Sequence, residues 1–280
     1  MSILHAIILG LIQGLTEFIP VSSTAHLTLA GHLMGDINSN EEWTAFIAVI
    51  QLGTLVAVII YFWSDIIKIV RGFVAANLAL ARKRPINPSD REHAWLGWLV
   101  IIGTLPVAVF GLALKKIIEG PFTKDLRVIA GSLIGLALIL TIAEIVSSQR
   151  RDMKNLRVTD AIAVGFAQVL ALIPGSSRSG TTIAAALFTG LTRETAARFS
   201  FLLSIPAVGA SGLLELPKAL HSSNTSWAAV GVATLVSAVS GYLSIAFLLR
   251  YLRDHTTFAF VGYRIALGLV LIALLVTGRI

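Results

Sequence analysis

Residues able to do chemistry gather at two places about 150 positions apart, each inside an apolar run. The first holds Gln13, Glu17, Ser22, Ser23, Thr24 and His26 around Pro20, within a run from Ile3 to Leu33. The second is Pro174-Gly175-Ser176-Ser177-Arg178-Ser179-Gly180-Thr181-Thr182, within a run from Ala161 to Leu187. Gln13 and Glu17 stand four apart, so on a helix they share a face. A carboxylate inside such a run costs a few kcal/mol on insertion scales and marks a functional position by default. After Pro20 the chain must restart as a helix, with Ser22 or Ser23 as its N-cap and His26 in its first turn. Free N–H groups and the partial positive charge at a helix start suit an anion. In the second cluster the glycines let backbone approach closely, and Arg178 offers a planar fork matched to phosphate oxygens. If the two tips meet, two helix starts, Arg178 and His26 converge on one anion beside Glu17 and several hydroxyls. Glu17 is then the partner for Arg178, or a bound phosphate is, or both.

Two chemistries fit this set. Ser23 attacks phosphorus with His26 or Glu17 as base, and water releases the phosphoryl group. Alternatively Glu17 or a metal-bound hydroxide activates water directly. Glu17 with phosphate oxygens suits a divalent cation, Mg²⁺ foremost and Ca²⁺ as the alternative. Ser22, Thr24, Ser176, Ser177, Ser179 and Gln13 are the expected substrate contacts. His5, His32, His93, His221 and His255 fall at run edges or in connections and read as solvated.

The elements that must position these groups are membrane helices. The 280 residues are 56% hydrophobic and 13% charged, with mean hydropathy +0.84; soluble domains carry about 25% charge. There are no cysteines, which excludes disulfides, thiolate metal sites and cysteine nucleophiles. The net charge of +7 reads as topological bias in the loops rather than a nucleic-acid surface. The first run lacks a basic leader and holds Glu17, so it is not expected to be a cleaved signal peptide.

Six runs read as spanning helices, near 43–63, 94–118, 126–147, 194–217, 227–250 and 258–278. The two interrupted runs, near 3–34 and 160–190, have halves too short to cross alone. They read as re-entrant hairpins; a single kinked spanning helix is the competing reading. Pro20-x-Ser22-Ser23 matches Pro174-x-Ser176-Ser177 at an offset of 154. The expected fold is thus an all-α polytopic membrane protein, one domain over 1–280. It is an inverted-topology repeat, about 1–150 and 155–280, each half one re-entrant helical hairpin plus three transmembrane helices. Of the cationic side chains, 14 fall on one predicted face and 6 on the face holding the termini, where Asp36, Glu41 and Glu42 also lie. Among the 6 are Lys218 and Arg279. The positive-inside rule then puts both termini and the mouth of the first hairpin outside. Residues 64–93 read as an interfacial amphipathic helix. Arg264, inside a predicted span, is expected to snorkel or to pair with Glu144 or Glu215.

At these residues the chain closely resembles the bacitracin-resistance family of undecaprenyl-diphosphate phosphatases. Its signatures stand here as Gln13-Gly14-Leu15-Thr16-Glu17 with Pro20-Val21-Ser22-Ser23-Thr24-Ala25-His26, and as Pro174 through Thr182. The resemblance covers nearly the full length. It implies hydrolysis of undecaprenyl diphosphate to the monophosphate and inorganic phosphate, recycling the lipid carrier of bacterial cell-wall synthesis. It also implies a divalent cation, a site open to the outer face of the bacterial inner membrane, and protection against bacitracin. Positions matching Glu17, Ser23, His26 and Arg178 are implied to be central, and those matching Ser177 and Thr182 to line the phosphate site. Gln13 departs from the glutamate of many relatives, which removes a second carboxylate. A transporter or flippase of a phosphorylated lipid or anion is the competing reading, because broken helices in repeats are also transporter architecture. Oligomeric state, a homodimer included, is left open.

Overall fold

A computed structural model describes the chain except for Met1, Asp36, Asn38, Ser39, 222–225, Arg279 and Ile280, and without the side chains of 40, 41, 119, 121, 122 and 218–221. Asp36 and Arg279, and the side chains of Glu41, Lys218 and His221, therefore lie outside the described residues. Among these, the chain forms helices α1 (Ile3–Phe18), α2 (Ser23–Met34), α3 (Asn40–Tyr61), α4 (Trp63–Ala81), α5 (Pro88–Ala113) and α6 (Lys115–Glu119). The order continues with α7 (Leu126–Val146), α8 (Val158–Leu170), α9 (Arg178–Phe188), α10 (Arg193–His221), α11 (Trp227–Asp254) and α12 (Phe258–Val276). Among the described residues six segments are long and apolar enough to cross a membrane: Glu42–Tyr61, Pro88–Ala113, Leu126–Val146, Arg193–Pro217, Trp227–Asp254 and Phe258–Val276. The protein is a multi-pass membrane protein.

The expected span near 94–118 begins earlier, at Pro88. Asn87 caps it by accepting the Ser89 N–H at 3.0 Å, and Pro88 occupies the first turn, where its missing N–H costs nothing. The basic stretch 64–93 is consequently not one surface helix. Its first part is α4, which packs on α5, burying Gly72 and Ala76 and exposing Val70, Val74 and Leu78. Both polar interruptions are true breaks between separate helices rather than kinks.

Small residues let the short helices lie close to long ones, as lipid-embedded packing requires. On α1, Gly10 meets Ala233 of α11, and a Cβ at Gly14 would lie 2.0 Å from Ser240 Oγ. Phe18 then reaches Gly241. The rising pairs make α1 and α11 parallel, and α1 stops level with the middle of α11. Likewise α8 packs on α5, with Gly165 against Gly103 and Pro106. Each short helix thus leans on a long helix from the other half of the chain. Behind the first break, Phe18 packs edge-on to Phe201 at 5.1 Å between centroids.

Polar ties sort to the two ends of the bundle. At one end Glu144 accepts from Arg193 and from both the N–H and the hydroxyl of Thr257, which joins α7, α10 and the start of α12. Arg198 pairs with Asp65 there at 2.7 Å. At the other end Lys124 donates to Thr44 at 2.6 Å, and Lys115 approaches Glu215 at 3.9 Å.

Candidate functional site

Each break turns on a serine. Ser22 has φ 75° and Ser177 has φ 68°, in the half of conformational space that non-glycine residues rarely enter. Each serine caps the helix that follows: Ser22 Oγ accepts from the Ala25 N–H at 3.3 Å, and Ser177 Oγ from the Gly180 N–H at 3.2 Å. The matching residues are therefore Ser22 and Ser177. The offset between the breaks is 155, correcting the 154 expected from the Pro-x-Ser-Ser match. In the second break the proline stands one residue further ahead of the capping serine, and Gly175 between them takes φ 87°. A Cβ there would lie 2.6 Å from Ile129 O, so only glycine fits.

The two tips meet. Arg178 Nη2 donates to Glu17 Oε1 at 2.7 Å. Glu17 Oε2 accepts from Ser23 Oγ and from Gln13 Nε2, both at 2.9 Å. Glu17 is 6% exposed and Gln13 fully buried. Gln13 thus gives Glu17 an N–H donor, which an ionised glutamate at that position would lack. A further tie crosses between the breaks, from Ser179 Oγ to Ile19 O at 3.2 Å.

Three buried polar atoms here meet no partner among the described residues: Arg178 Nη1, Ser176 Oγ and Gln13 Oε1. Buried polar atoms are ordinarily hydrogen-bonded, so such orphans call for a ligand or water. One guanidinium donor and one hydroxyl suit an anion's oxygens; one amide oxygen suits a cation.

His26 faces elsewhere. Its Nδ1 lies 2.7 Å from Ser22 O, and a carbonyl only accepts, so Nδ1 carries the proton. Its Nε2, 2.7 Å from the Tyr263 hydroxyl, is then the lone-pair nitrogen. The two rings stack within 7° at 5.6 Å. Among the described contacts Ser23 bonds Glu17, not His26. Thr182 is also turned away: its hydroxyl meets Ser200 at 2.6 Å and the carbonyls of Arg178 and Ser179. Thr24 lines a cavity of about 390 Å³ with Thr28, Trp43, Gln51 and Pro174.

One participant escaped the sequence reading, and another was given the wrong partners. Tyr263 carried no signal beyond lying beside Arg264 in an apolar run. Arg264 itself neither snorkels nor pairs with Glu144 or Glu215. It is 1% exposed, and its partners among the described residues are backbone carbonyls, of Pro20, Ser132, Leu133, Gly175 and Ser176. Glu144 is already taken by Arg193 and Thr257.

Among the described residues, six membrane-length apolar helices and a buried acid–arginine pair joining two helix breaks define a polytopic membrane protein with a polar site inside its bundle. The family described as bacitracin resistance protein BacA matches residues 6–270, and the chain belongs to that family. The undecaprenyl-diphosphatase of Syntrophobacter fumaroxidans is 56% identical over 272 residues, covering 96% of this chain and 95% of that protein. The undecaprenyl-diphosphatase of Myxococcus xanthus is 51% identical over 281 residues, covering 100% and 91%. That of Chloroherpeton thalassium is 49% identical over 290 residues, covering 100% and 99%.

Proposed function

We propose that this chain is an undecaprenyl-diphosphatase, which hydrolyses undecaprenyl diphosphate to undecaprenyl phosphate and inorganic phosphate. The observation that carries the reading is Glu17, held between Ser23 of its own break and Arg178 of the other. The unpaired Arg178 Nη1 and Ser176 Oγ receive oxygens of the terminal phosphate, assisted by the cap at the start of α9. Glu17 takes the Ser23 proton as Ser23 Oγ bonds to the terminal phosphorus, the phosphorus–oxygen bond to the lipid monophosphate breaks, and Glu17 passes the proton to the departing monophosphate. Glu17, ionised again, takes a proton from the water that attacks the phosphoserine, and returns it to Ser23 Oγ as inorganic phosphate leaves. His26, whose Nε2 accepts from the Tyr263 hydroxyl, moves protons at the edge of the site rather than on Ser23.

A divalent cation, Mg²⁺ or Ca²⁺, fits the donors present. The Glu17 carboxylate and the unpaired Gln13 Oε1 are hard oxygen ligands, and phosphate oxygens and water complete such a sphere. When bound, the ion neutralises phosphate charge as a Lewis acid. Among the described residues no three His, Cys, Asp or Glu side chains cluster as a metal cage, which suits an ion shared with substrate.

The halves form an inverted-topology repeat whose re-entrant hairpins are α1–α2 and α8–α9. Support comes from Ala6 and Ala161, Gly10 and Gly165, Gln13 and Gln168, and Ser22 and Ser177, all 155 positions apart. Further support is that α1 leans on α11 and α8 on α5. With the basic excess inside, the site opens to the outer face of the inner membrane and both termini lie outside. The apolar walls of the cavity beside Thr24 and Pro174 suit the first units of a lipid tail.

The test is phosphate release from undecaprenyl or farnesyl diphosphate by purified protein, with and without Mg²⁺. The reading expects release that requires Glu17 and Arg178, and a phosphoserine trapped at Ser23. Release by Ser23→Ala at the wild-type rate would leave the direct attack of water as the mechanism. Substrate moved intact across sealed vesicles, with no phosphate freed, would make the chain a transporter.

A further inference from the structure

We propose that Arg264 is a positioning residue that holds the two breaks at the spacing the site requires. Its kinetic arm rests on the phosphatase reading; its structural arm does not. A helix that stops inside a bundle leaves carbonyls without intrahelical N–H partners, and away from water these need donors. The first break leaves Pro20 O; the second leaves Gly175 O and Ser176 O. All three accept from one guanidinium: Pro20 O from Nη1 at 3.3 Å, Gly175 O and Ser176 O from Nη2 at 3.0 and 3.2 Å. The same group is anchored to α7 through Leu133 O at 3.2 Å and Ser132 O at 3.3 Å.

The guanidinium is planar and rigid, so donors aimed at two breaks fix the breaks relative to each other. That distance is what brings Arg178 of the second break to Glu17 of the first. The described residues include no carboxylate paired with Arg264, and its side chain is 1% exposed. Its donors are occupied by carbonyls, so it acts through the breaks rather than on the substrate. The neighbouring Tyr263 reaches His26, so α12 braces both sides of the site with consecutive residues. Lysine could replace the charge but not the fork.

The experiment is hydrogen–deuterium exchange with phosphate-release kinetics on full-length detergent-purified protein, as wild type, Arg264→Lys and Arg264→Met. Arg264→Met is expected to speed amide exchange by about tenfold or more in both 19–23 and 175–180, while 226–230 at the start of α11 stays as in wild type. In both variants kcat should fall by about a hundredfold, the scale of a 1 Å misplacement. In Arg264→Lys, KM should stay within about threefold, because the loss is of positioning and not of substrate contact. If Arg264→Met does not fold, Arg264→Lys is judged by the same exchange and kinetic criteria. Faster exchange in one break only, or in neither, overturns the proposal. So does a raised KM with unchanged kcat, which would make Arg264 a substrate contact. Wild-type protein that frees no phosphate would defeat the phosphatase reading while leaving the exchange result to judge the brace.

Discussion

In the first break Ser22 sits at φ 75° and caps α2; in the second Ser177 sits at φ 68° and caps α9. The turns are alike in backbone, but their cargo differs. Ahead of Ser22 stands Glu17, where the second break has Leu172 at the same offset. After Ser22 comes Ser23; after Ser177 comes Arg178. Gln13 spends its amide N–H on Glu17, whereas the equivalent Gln168 spends its own on Gly103 O at 2.9 Å. One turn carries an acid and a hydroxyl, the other a cation. In the function proposed above, the first break handles protons and the second holds the anion, and the chemistry needs the two in contact.

The largest effect should come from removing the cation. Arg178→Met is expected to lower phosphate release by about 10³–10⁵-fold, as for arginines that stabilise phosphoryl transfer. It also leaves Glu17 buried without its partner, so thermal unfolding should show a loss of about 3–5 kcal/mol. Next is the acid: Glu17→Gln should cost about 10²–10⁴-fold in kcat, the range for a general base. Neither loss should be recovered by placing a carboxylate at Leu172, because that side of the scaffold has no hydroxyl in Ser23's place. Smaller is Tyr263→Phe, which keeps the stack on His26 but removes one hydrogen bond worth about 1 kcal/mol; kcat should fall roughly fivefold. Smallest are Ser22→Gly and Ser177→Gly. Glycine accepts the positive φ and substitutes for a serine cap at a few tenths of a kcal/mol, so the two variants should unfold at nearly equal temperatures, close to wild type. Unequal shifts would show that the turns differ in more than cargo.

Much of this was legible in the residues because lipid punishes polar groups. Proline, glycine and hydroxyls inside apolar runs could only mark breaks, and Glu17 and Arg178 beside them could only be functional or paired. They are paired, and the spans fall where the runs lie. The register between the breaks was less legible: Ser-Ser in each motif permits two alignments, and the matching dihedral angles of Ser22 and Ser177 agree with the 155-residue spacing of Gly10 with Gly165 and Gln13 with Gln168. The start of α5 escaped because Asn87-Pro88 acts through local geometry while the charged residues after it look like a loop. Arg264 and Tyr263 were opaque for a different reason. Their partners are backbone carbonyls and a histidine more than 80 positions away, and a carbonyl leaves no mark in a sequence.

The division of labour between the breaks is tested most directly by a double-mutant cycle. Phosphate release from undecaprenyl diphosphate would be compared for wild type, Glu17→Gln, Arg178→Lys and the double variant. Groups that act as a unit lose their effect together. The account predicts one phosphate freed per lipid by wild type, each single variant severely impaired, and the double variant no slower than the worse single by more than about tenfold. Losses that multiply across the pair, or a single variant as fast as wild type, would contradict it.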